Sequence, residues 1–386
     1  MSKLNYLINE LCPDGVEYVK IKDTFQRLKG TPITAGKMKE IARKDGEIKI
    51  FAGGKTVINA NEEDIPKANI TKVPAVLVQS RGVIDFICYD KPFTFKNEMW
   101  AYTANDKTTV KYLYYVLQNN KQYFRDFASG MGSLPQISLP VTEDFKIPVP
   151  PLEVQREIVR ILDMFTEYTE LLSKELELRK KQYSYYRDKL LTFGDDVEYK
   201  KLGDIGKVSM CKRIMKNQTN AESGVPFFKI GTFGKKADSY ISFDLFNEYK
   251  QKYSYPKKGD ILISASGTIG RIVIFNGEPA YFQDSNIIWI DNDETIVLNK
   301  FLYYFYQTNP WKISEGGTIA RLYNDDLAKI KIPIPLIEEQ ERIVKILDKF
   351  DTLCNDLTNG IPAEIELRKK QYEYYRDKLL TFKELK

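Results

Sequence analysis

A stretch of seventeen residues occurs twice in this chain of 386 residues. Glu177–Phe193 returns as Glu366–Phe382 with a single substitution, and an upstream segment, Ile147–Phe165, returns with more changes as Ile332–Phe350. The distance between the copies is far longer than the period of a solenoid repeat. The duplication therefore predicts two domain-sized halves that are built on the same plan.

Each half follows one order of segments: a strand-like start, a variable body, a Pro-rich segment and a long helix. Because proline lacks an amide hydrogen and clashes with the preceding helical turn, the Ile-Pro-x-Pro segments at Ile147 and Ile332 must precede the helices. We expect a first body at 1–150 with a short N-terminal helix, a first long helix at 151–193, a second body at 194–335 and a second long helix at 336–386. Gly360 and Pro362 predict a break in the second helix near 359–362.

The bodies carry short apolar segments between glycine, proline and asparagine residues, as at Ile48–Phe51, which predicts strands. Residues Tyr112–Phe127 predict a helix in the first body, and Phe301–Trp311 predicts its counterpart in the second. A glycine-containing stretch follows each of these helices, at 129–137 and 315–322, and indicates a turn.

Apolar residues recur along both long helices at steps of three and four, with one stutter, which predicts a supercoiled helix pair. Such a seam must be covered, and the other copy is the partner most readily available. We assign to this interface Ile158, Ile161, Phe165, Leu172, Leu176, Tyr183, Tyr186, Leu190, Ile343, Ile346, Phe350, Leu353, Tyr372, Tyr375 and Leu379. The predicted fold class is α+β, with two pseudo-twofold-related mixed α/β domains separated by an antiparallel coiled-coil pair of long helices.

The composition argues against most enzyme classes. The chain has no histidine, which excludes Ser-His and Cys-His catalytic pairs and the usual imidazole metal ligand. Four scattered cysteines, Cys12, Cys88, Cys211 and Cys354, predict reduced thiols rather than disulfides or a zinc site. No phosphate-binding loop of the Gly-x-x-x-x-Gly-Lys-Ser/Thr type is present. We therefore expect no catalytic residue and no metal in this chain.

Neither a signal-peptide core nor an apolar run of membrane-spanning length occurs, so we expect a cytoplasmic protein without a membrane partner. The formal charge of +5 permits a polyanionic partner. Basic and polar residues in loop-like, glycine-containing stretches could neutralise phosphates or read base edges. The candidate DNA-binding residues are Lys29, Lys37, Lys39, Lys55, Arg81, Lys212, Arg213, Lys216, Lys229, Lys235, Lys236, Ser266 and Arg271.

The whole arrangement resembles the specificity subunit of type I DNA restriction-modification systems. The resemblance is carried by the two Ile-Pro-x-Pro-x-x-x-x-Gln-x-x-Ile-Val segments, the two Arg-Lys-Lys-Gln-Tyr-x-Tyr-Tyr-Arg-Asp-Lys-Leu-Leu helix ends, and the turn Ser266–Gly270. It covers essentially the whole chain. The first body departs from the second at this turn, since Ser80–Asp85 lacks the second glycine.

The resemblance implies two target-recognition domains, each of which reads one half of a bipartite asymmetric site in double-stranded DNA. It also implies that two copies of a methylation subunit dock against the long helices and that a restriction subunit with ATP-driven translocation joins the complex. S-adenosylmethionine, ATP and Mg would then bind these partner subunits, and this chain would hold no cofactor and catalyse nothing.

Two rigidly linked modules bind one duplex well only if their spacing suits it. We therefore expect the helix pair to act as a ruler between the half-sites, so that four residues inserted near Ser173 would lengthen the recognised spacer. The alternative is a protein-binding scaffold in which the helices form a dimer clamp without DNA. The dependence of binding on salt distinguishes the two, because binding to DNA releases counterions.

Overall fold

The computed structural model describes residues 2–128, 134–311 and 321–385, and it confirms the mixed α/β class. The glycine-containing stretches lie largely outside the described residues, at 129–133 and 315–320. Two compact units are present, Met1–Ser173 with Glu364–Lys386 and, separately, Lys174–Ala363. The division falls within the long helices, so each unit holds one body together with segments of the long helices.

The first unit contains two larger sheets and a small one. Its helices are α1 (Ser2–Leu11), α2 (Ile21–Thr24), α3 (Ala35–Ile41), α4 (Lys107–Asn119), α5 (Lys121–Asp126) and α6 (Leu139–Glu143). Its strands are β1 (Tyr18–Lys20), β2 (Gln26–Lys29), β3 (Ile48–Phe51), β4 (Val57–Ala60), β5 (Ala75–Gln79), β6 (Asp85–Tyr89), β7 (Phe93–Phe95), β8 (Trp100–Thr103) and β9 (Lys146–Pro148). The sheet orders are β2-β8-β5-β6, β4-β3-β7 and β1-β9. The body leads into the long helix α7 (Leu152–Leu190), which continues into the second unit.

The second unit repeats this plan. Its body contains β10 (Tyr199–Lys201), α8 (Leu202–Ile205), β11 (Gly206–Met210), β12 (Val225–Phe228), β13 (Tyr240–Ile241), α9 (Phe243–Lys252), β14 (Ile261–Ser264), β15 (Ile272–Ile274), β16 (Tyr281–Phe282), β17 (Ile287–Asn292), α10 (Asn299–Tyr306), α11 (Asn324–Lys329) and β18 (Lys331–Pro333). The sheets run β11-β17-β14-β15, β13-β12-β16 and β10-β18. Two helices follow, α12 (Ile337–Asn355) and α13 (Ile361–Leu379), and the predicted break near 359–362 lies at their junction.

The repeated segments at the two ends of each body pair with one another. Val19 is opposite Ile147 in the β1-β9 ladder, and Lys200 is opposite Ile332 in the β10-β18 ladder. In each unit the start of the body is thus hydrogen-bonded to the Ile-Pro segment that leads into the long helix. This explains why these two segments recur together in the sequence.

The predicted body helices differ from the observed ones at their ends. The segment Tyr112–Phe127 forms two helices, because Asn120 leaves the helical conformation and its amide donates to the Val116 carbonyl, 2.8 Å away. Its predicted counterpart Phe301–Trp311 ends earlier, at Tyr306, and Asn309 beyond it adopts a positive φ of 54°. Both helices pack against the four-stranded sheet of their body and against a long helix of the same unit.

Within each unit the long helices pack antiparallel through aromatic residues. In the first unit Phe165 of α7 stacks on Tyr375 of α13, with ring centroids 5.5 Å apart, and the guanidinium of Arg368 lies 5.3 Å from the Tyr168 ring. In the second unit Phe350 of α12 stacks on Tyr186 of α7 at 5.8 Å. Among the described residues no helix is long and apolar enough to cross a membrane.

Candidate nucleic-acid interface

In the first body, basic residues lie at one end of the two larger sheets. Lys29 ends β2 opposite Trp100, and Trp100 is opposite Val78 near the end of β5. The β5–β6 turn with Arg81 therefore extends from the same end of the sheet as Lys29. The β3–β4 turn Gly53–Lys55 adjoins it, because a Cβ on Gly82 would lie 3.7 Å from the Cα of Gly54.

The turn that carries Arg81 is held from both sides. The Ser80 hydroxyl donates to the Glu98 carbonyl at 2.7 Å, and the Gly82 amide donates to the Pro135 carbonyl at 2.8 Å. Gly54 and Gly82 adopt φ values of 69° and 81°, which glycine adopts without steric cost. Arg81 is exposed and makes no ion pair within the described part of the chain. Its guanidinium is therefore available to a ligand.

Two predicted lysines of the first body lie elsewhere. Lys37 on α3 pairs with Glu40 at 2.8 Å, and Lys39 is exposed on the same helix. The hydrogen bond from Arg43, 2.7 Å away, lowers the pKa of Asp64, and Lys37 adds to this effect. Asp64 follows β4, at the opposite end of that strand from the turn Gly53–Lys55. The structure thus separates Lys37 from Arg81, and the Lys55 side chain lies outside the described residues.

In the second body, three turns converge: Lys229–Lys236 after β12, Ala265–Arg271 between β14 and β15, and Gln283–Asn286 between β16 and β17. The Ser266 hydroxyl and the Asn286 side-chain oxygen are 2.8 Å apart, and the Gln283 side-chain oxygen accepts from the Ile230 amide at 3.0 Å. These contacts tie each turn to another, so the loops form one surface.

The Ser-Gly-Thr-Ile-Gly turn is built around one serine. The Ser264 hydroxyl donates to the Thr268 carbonyl at 2.5 Å and accepts from the Arg271 amide at 2.8 Å. A side chain on Gly270 would overlap the indole nitrogen of Trp311, and Gly270 also has a φ of 79°. Position 270 therefore requires glycine, which explains the second glycine of the motif.

Three arginines brace this surface. Arg213 pairs with Asp284 at 2.8 Å, and Arg321 donates to the Ser285 carbonyl at 2.6 Å. Arg271 donates to the Phe233 carbonyl at 2.8 Å. Within the described ranges each guanidinium has one such partner, and its remaining N–H groups can be offered to an anion. The turn Asp284–Asn286 is itself unusual, since Ser285 has a φ of 52°.

The remaining predicted residues of the second body differ in their surroundings. Lys229 pairs with Asp238 at 3.0 Å, and Lys212 lies 5.1 Å from the centre of the Tyr253 ring. Lys216, Lys235 and Lys236 are exposed. Sequence reasoning did not identify Gln283, Asn286 and Arg321 as site residues. A signal for Arg321 was its position in the glycine-containing stretch 315–322, which matches 129–137 of the first body. Arg321 forms a β-bridge with Ser266, and Gln136 forms the equivalent β-bridge with Arg81.

The surface is suited to binding a polyanion. Lysine and arginine can neutralise phosphates, and amide and guanidinium groups can form paired hydrogen bonds with base edges in the major groove. Within the described residues no group of three or more Cys, Asp or Glu side chains could hold a metal ion.

The residues assigned to the helix pair fall into three groups by burial. Ile158, Ile161, Tyr183, Ile343 and Leu379 are buried. Tyr186 and Leu353 are 38% and 37% exposed. The others are half-buried: Phe165, Leu172, Leu176, Leu190, Ile346, Phe350, Tyr372 and Tyr375. Ile158 and Ile161 belong to the core of the first body, so part of the seam faces a body rather than the other helix.

A second surface consists of exposed apolar residues that the duplication repeats. Leu178 and Tyr185 of α7 are 65% and 60% exposed, and their equivalents Leu367 and Tyr374 of α13 are 50% and 62% exposed. In each copy the two residues are seven positions apart and so lie on one face of the helix. We call these two pairs the repeated stripes.

Comparisons with known proteins agree with this architecture. A family model described as "Type I restriction modification DNA specificity domain" matches residues 13–178 and 194–367. A putative type I restriction enzyme specificity subunit from Haemophilus influenzae is 56% identical over 298 residues, which cover 75% of this chain and 77% of the relative. The specificity subunit of an Escherichia coli type I restriction enzyme is 34% identical over 363 residues and 87% of each chain.

Solved structures show the same fold. The crystal structure of a type I restriction-modification S subunit from M. genitalium aligns with a TM-score of 0.56 at 18% identity, over 95% of each chain. A chain from a study of the assembly of a type I restriction-modification system aligns with a TM-score of 0.59 at 17% identity, over 95% of this chain and 98% of that one.

Proposed function

Because the chain belongs to the family of type I restriction-modification DNA specificity subunits, we propose that its two bodies read the two halves of a bipartite site in double-stranded DNA. One observation carries this proposal. Both bodies carry an arginine-bearing turn at the same position of equivalent four-stranded sheets, β5–β6 in one and β14–β15 in the other.

The two turns differ in chemistry, which favours an asymmetric site. The first body presents the exposed Arg81 on its short turn, whereas the second presents the Ser266 hydroxyl on its turn, beside the side-chain amides of Gln283 and Asn286 on the neighbouring β16–β17 turn. Arginine most often pairs with guanine, and side-chain amides pair with adenine. We infer that the half-sites have different sequences.

The helices supply the distance between the half-sites in this proposal. α7 is a continuous helix of 39 residues and is shared by both units. At about 1.5 Å per residue its length is about 58 Å. Recognition faces on one side of a duplex are spaced by about 34–36 Å or multiples of that distance. The length of α7 lies between one and two such distances, and in this proposal it sets the spacer.

We also propose that the repeated stripes bind two copies of one methylation subunit. Identical exposed apolar pairs at equivalent positions fit two identical partners better than one. A restriction subunit with translocase activity would join this assembly. Methyl transfer would use S-adenosylmethionine, and translocation would use ATP and Mg, all on the partner subunits, while this chain would contribute DNA selection alone.

The test is co-expression of the full chain with its methylation subunit, followed by single-molecule mapping of methylated adenines. We expect one bipartite motif with a fixed spacer, and we expect it to vanish when this chain is omitted. Methylation that is absent, or that persists without this chain, contradicts the proposal and favours a protein-binding scaffold.

A further inference from the structure

Besides their shared apolar core, the first body and α7 are joined by a polar contact of three side chains. The Tyr115 hydroxyl of α4 donates to one carboxylate oxygen of Asp163 at 2.5 Å. The ammonium group of Lys111, one helical turn earlier on α4, lies 2.8 Å from the other oxygen. Asp163 thus accepts from two residues of the same body helix, one of them charged.

The second body repeats this contact. The Tyr304 hydroxyl of α10 donates to Asp348 of α12, and the Lys300 ammonium group lies 2.8 Å from the same carboxylate. We call each group of three residues a Lys–Tyr–Asp cluster. The two clusters occupy equivalent positions of the duplication, although the bodies around them have diverged almost everywhere else.

The tyrosines in the clusters keep their protons. Tyr115 and Tyr304 are buried, and burial, together with the adjacent carboxylate, raises the pKa of each phenol far above its ordinary value. Each hydroxyl is therefore a donor at all physiological pH values. Hydrogen bonds to an ionised acceptor are shorter and stronger than those between neutral groups.

Each body helix also contacts the other long helix of its unit. The Asn119 side-chain oxygen accepts from Arg376 of α13 at 2.7 Å, and the Gln307 side-chain oxygen accepts from Tyr183 of α7 at 2.7 Å. These second contacts use different residues in the two units. What the units share is the Lys–Tyr–Asp cluster, and this favours a role that both bodies need.

Reading a site with a fixed spacer makes a strict geometric demand. Successive base pairs lie about 3.4 Å apart along the duplex. One turn contains about 10–10.5 base pairs, so each step also rotates the groove by about 35°. To reject a spacer that is one base pair too long, the position of a body on its helix must vary by less than this rise and rotation.

We propose that the two Lys–Tyr–Asp clusters are positioning elements that determine the number of base pairs between the half-sites. This inference rests on the proposed function. The cluster residues link the body helix to the long helix and do not read bases. They fix the position of each body on its long helix, and so the positions of the β5–β6 and β14–β15 turns.

The full chain, co-expressed with its methylation subunit, provides the test. Tyr115→Phe and Tyr304→Phe remove one hydroxyl each and keep the ring, and Asp163→Asn and Asp348→Asn remove the charge at the other end of the contact. We expect both half-site sequences to stay unchanged. The ratio of methylation at sites with a spacer one base pair longer or shorter to methylation at sites with the normal spacer should rise about tenfold. This corresponds to a loss of about 1.4 kcal/mol in discrimination between spacers.

Tyr114→Phe is the matched control, because Tyr114 neighbours Tyr115 and lies outside the cluster. It should leave the spacer as strict as in the unmodified chain. If the cluster variants keep a strict spacer, or if they lose methylation equally at all spacers, the clusters are merely structural and the inference is overturned. If the unmodified chain directs no bipartite methylation, the proposed function fails as well, which the same experiment reveals separately.

Discussion

Phe165 stacks on Tyr375 with ring planes 24° apart, and this contact recurs between the equivalent residues of the other unit. There, Phe350 and Tyr186 stack with planes 23° apart. The same two sequence motifs therefore meet in the same antiparallel manner inside each unit. The duplicated helices are complementary to each other, which accounts for the near identity of their sequences.

This contact should be measurable as a contribution to stability. We expect Tyr375→Ala to lower the free energy of unfolding by about 2 kcal/mol, because a half-buried aromatic ring is lost. Tyr374→Ala, which removes the exposed neighbouring ring, should change it by less than about 0.5 kcal/mol. Denaturant titration followed by circular dichroism compares the two. A double-mutant cycle with Phe165→Ala should give a coupling of about 1 kcal/mol, and a coupling near zero would show that the rings do not interact.

The repeated stripes predict stepwise loss of partner subunits. Leu367→Glu with Tyr374→Glu should remove one methylation subunit from the complex, and Leu178→Glu with Tyr185→Glu should remove the other. Introduced carboxylates would be desolvated in an apolar interface, which is costly. Sedimentation analysis should show two subunits per unmodified chain, one for each double variant and none when all four changes are combined. Unchanged stoichiometry would place the docking surface elsewhere.

The ruler predicts that helix length determines spacer length. Four residues inserted after Ser173, with four more after Ala363, add about 6 Å to each helix. This distance is close to two base-pair steps. Mapping of methylated adenines should therefore reveal the same half-sites with a spacer about two base pairs longer. An altered half-site, or a spacer that does not change, would refute the ruler.

The exposed Lys235 and Lys236 predict that the affinity for DNA depends on salt concentration. Each phosphate that a protein neutralises contributes about 0.9 to the slope of log affinity against log salt concentration. Replacing Lys235 and Lys236 by alanine should reduce this slope by about 2 and weaken binding to all sequences alike. Lys181→Ala is the control, because Lys181 pairs with Glu177 on α7 at 2.6 Å. Fluorescence anisotropy over a range of salt concentrations gives both values.

The reactivity of the Cys88 thiol tests whether burial raises its pKa. Burial raises the pKa of Cys88 from 9.0 to about 11. At pH 8 the thiolate fraction should thus be about a hundredfold lower in the native chain than in the unfolded one. Because folding favours the protonated thiol, its contribution to stability is fully present below pH 9 and is lost as the pH rises through about 11. Alkylation with iodoacetamide, quantified by mass spectrometry, should be correspondingly slow for native Cys88, and equal rates in native and unfolded chains would contradict this.

The helices were the most predictable part of the molecule. The seam positions Phe165, Phe350, Tyr186 and Tyr375 follow from steps of three and four residues, and the observed stacking joins them in pairs. Helical periodicity is a local property, so it can be recognised in the sequence. By contrast, the end of a body helix at Asn120 depends on a side-chain contact with the preceding turn, for which the sequence gives only a weak signal.

The recognition surface was less predictable, since its residues come together from distant parts of the chain. Asn286 and Arg321 join the turn at Ser266 through contacts that only the folded sheet creates. Charge alone also misleads, because Lys37 and Lys229 are paired with Glu40 and Asp238 on the protein itself. A count of lysines cannot separate such pairs from residues that are free to meet phosphates.

Residues that follow α13 complete the first unit. The Val16 amide donates to the Lys383 carbonyl at 2.9 Å, and the Leu385 amide donates back to the Val16 carbonyl at 2.9 Å. During synthesis, Lys174–Ala363 emerges as one continuous segment, whereas the other unit must wait for Glu364–Lys386. Domains of a nascent chain usually fold in order from the N-terminus. Here the segment that completes the first unit follows the whole of the second in the sequence, so we expect the first unit to finish folding after the second.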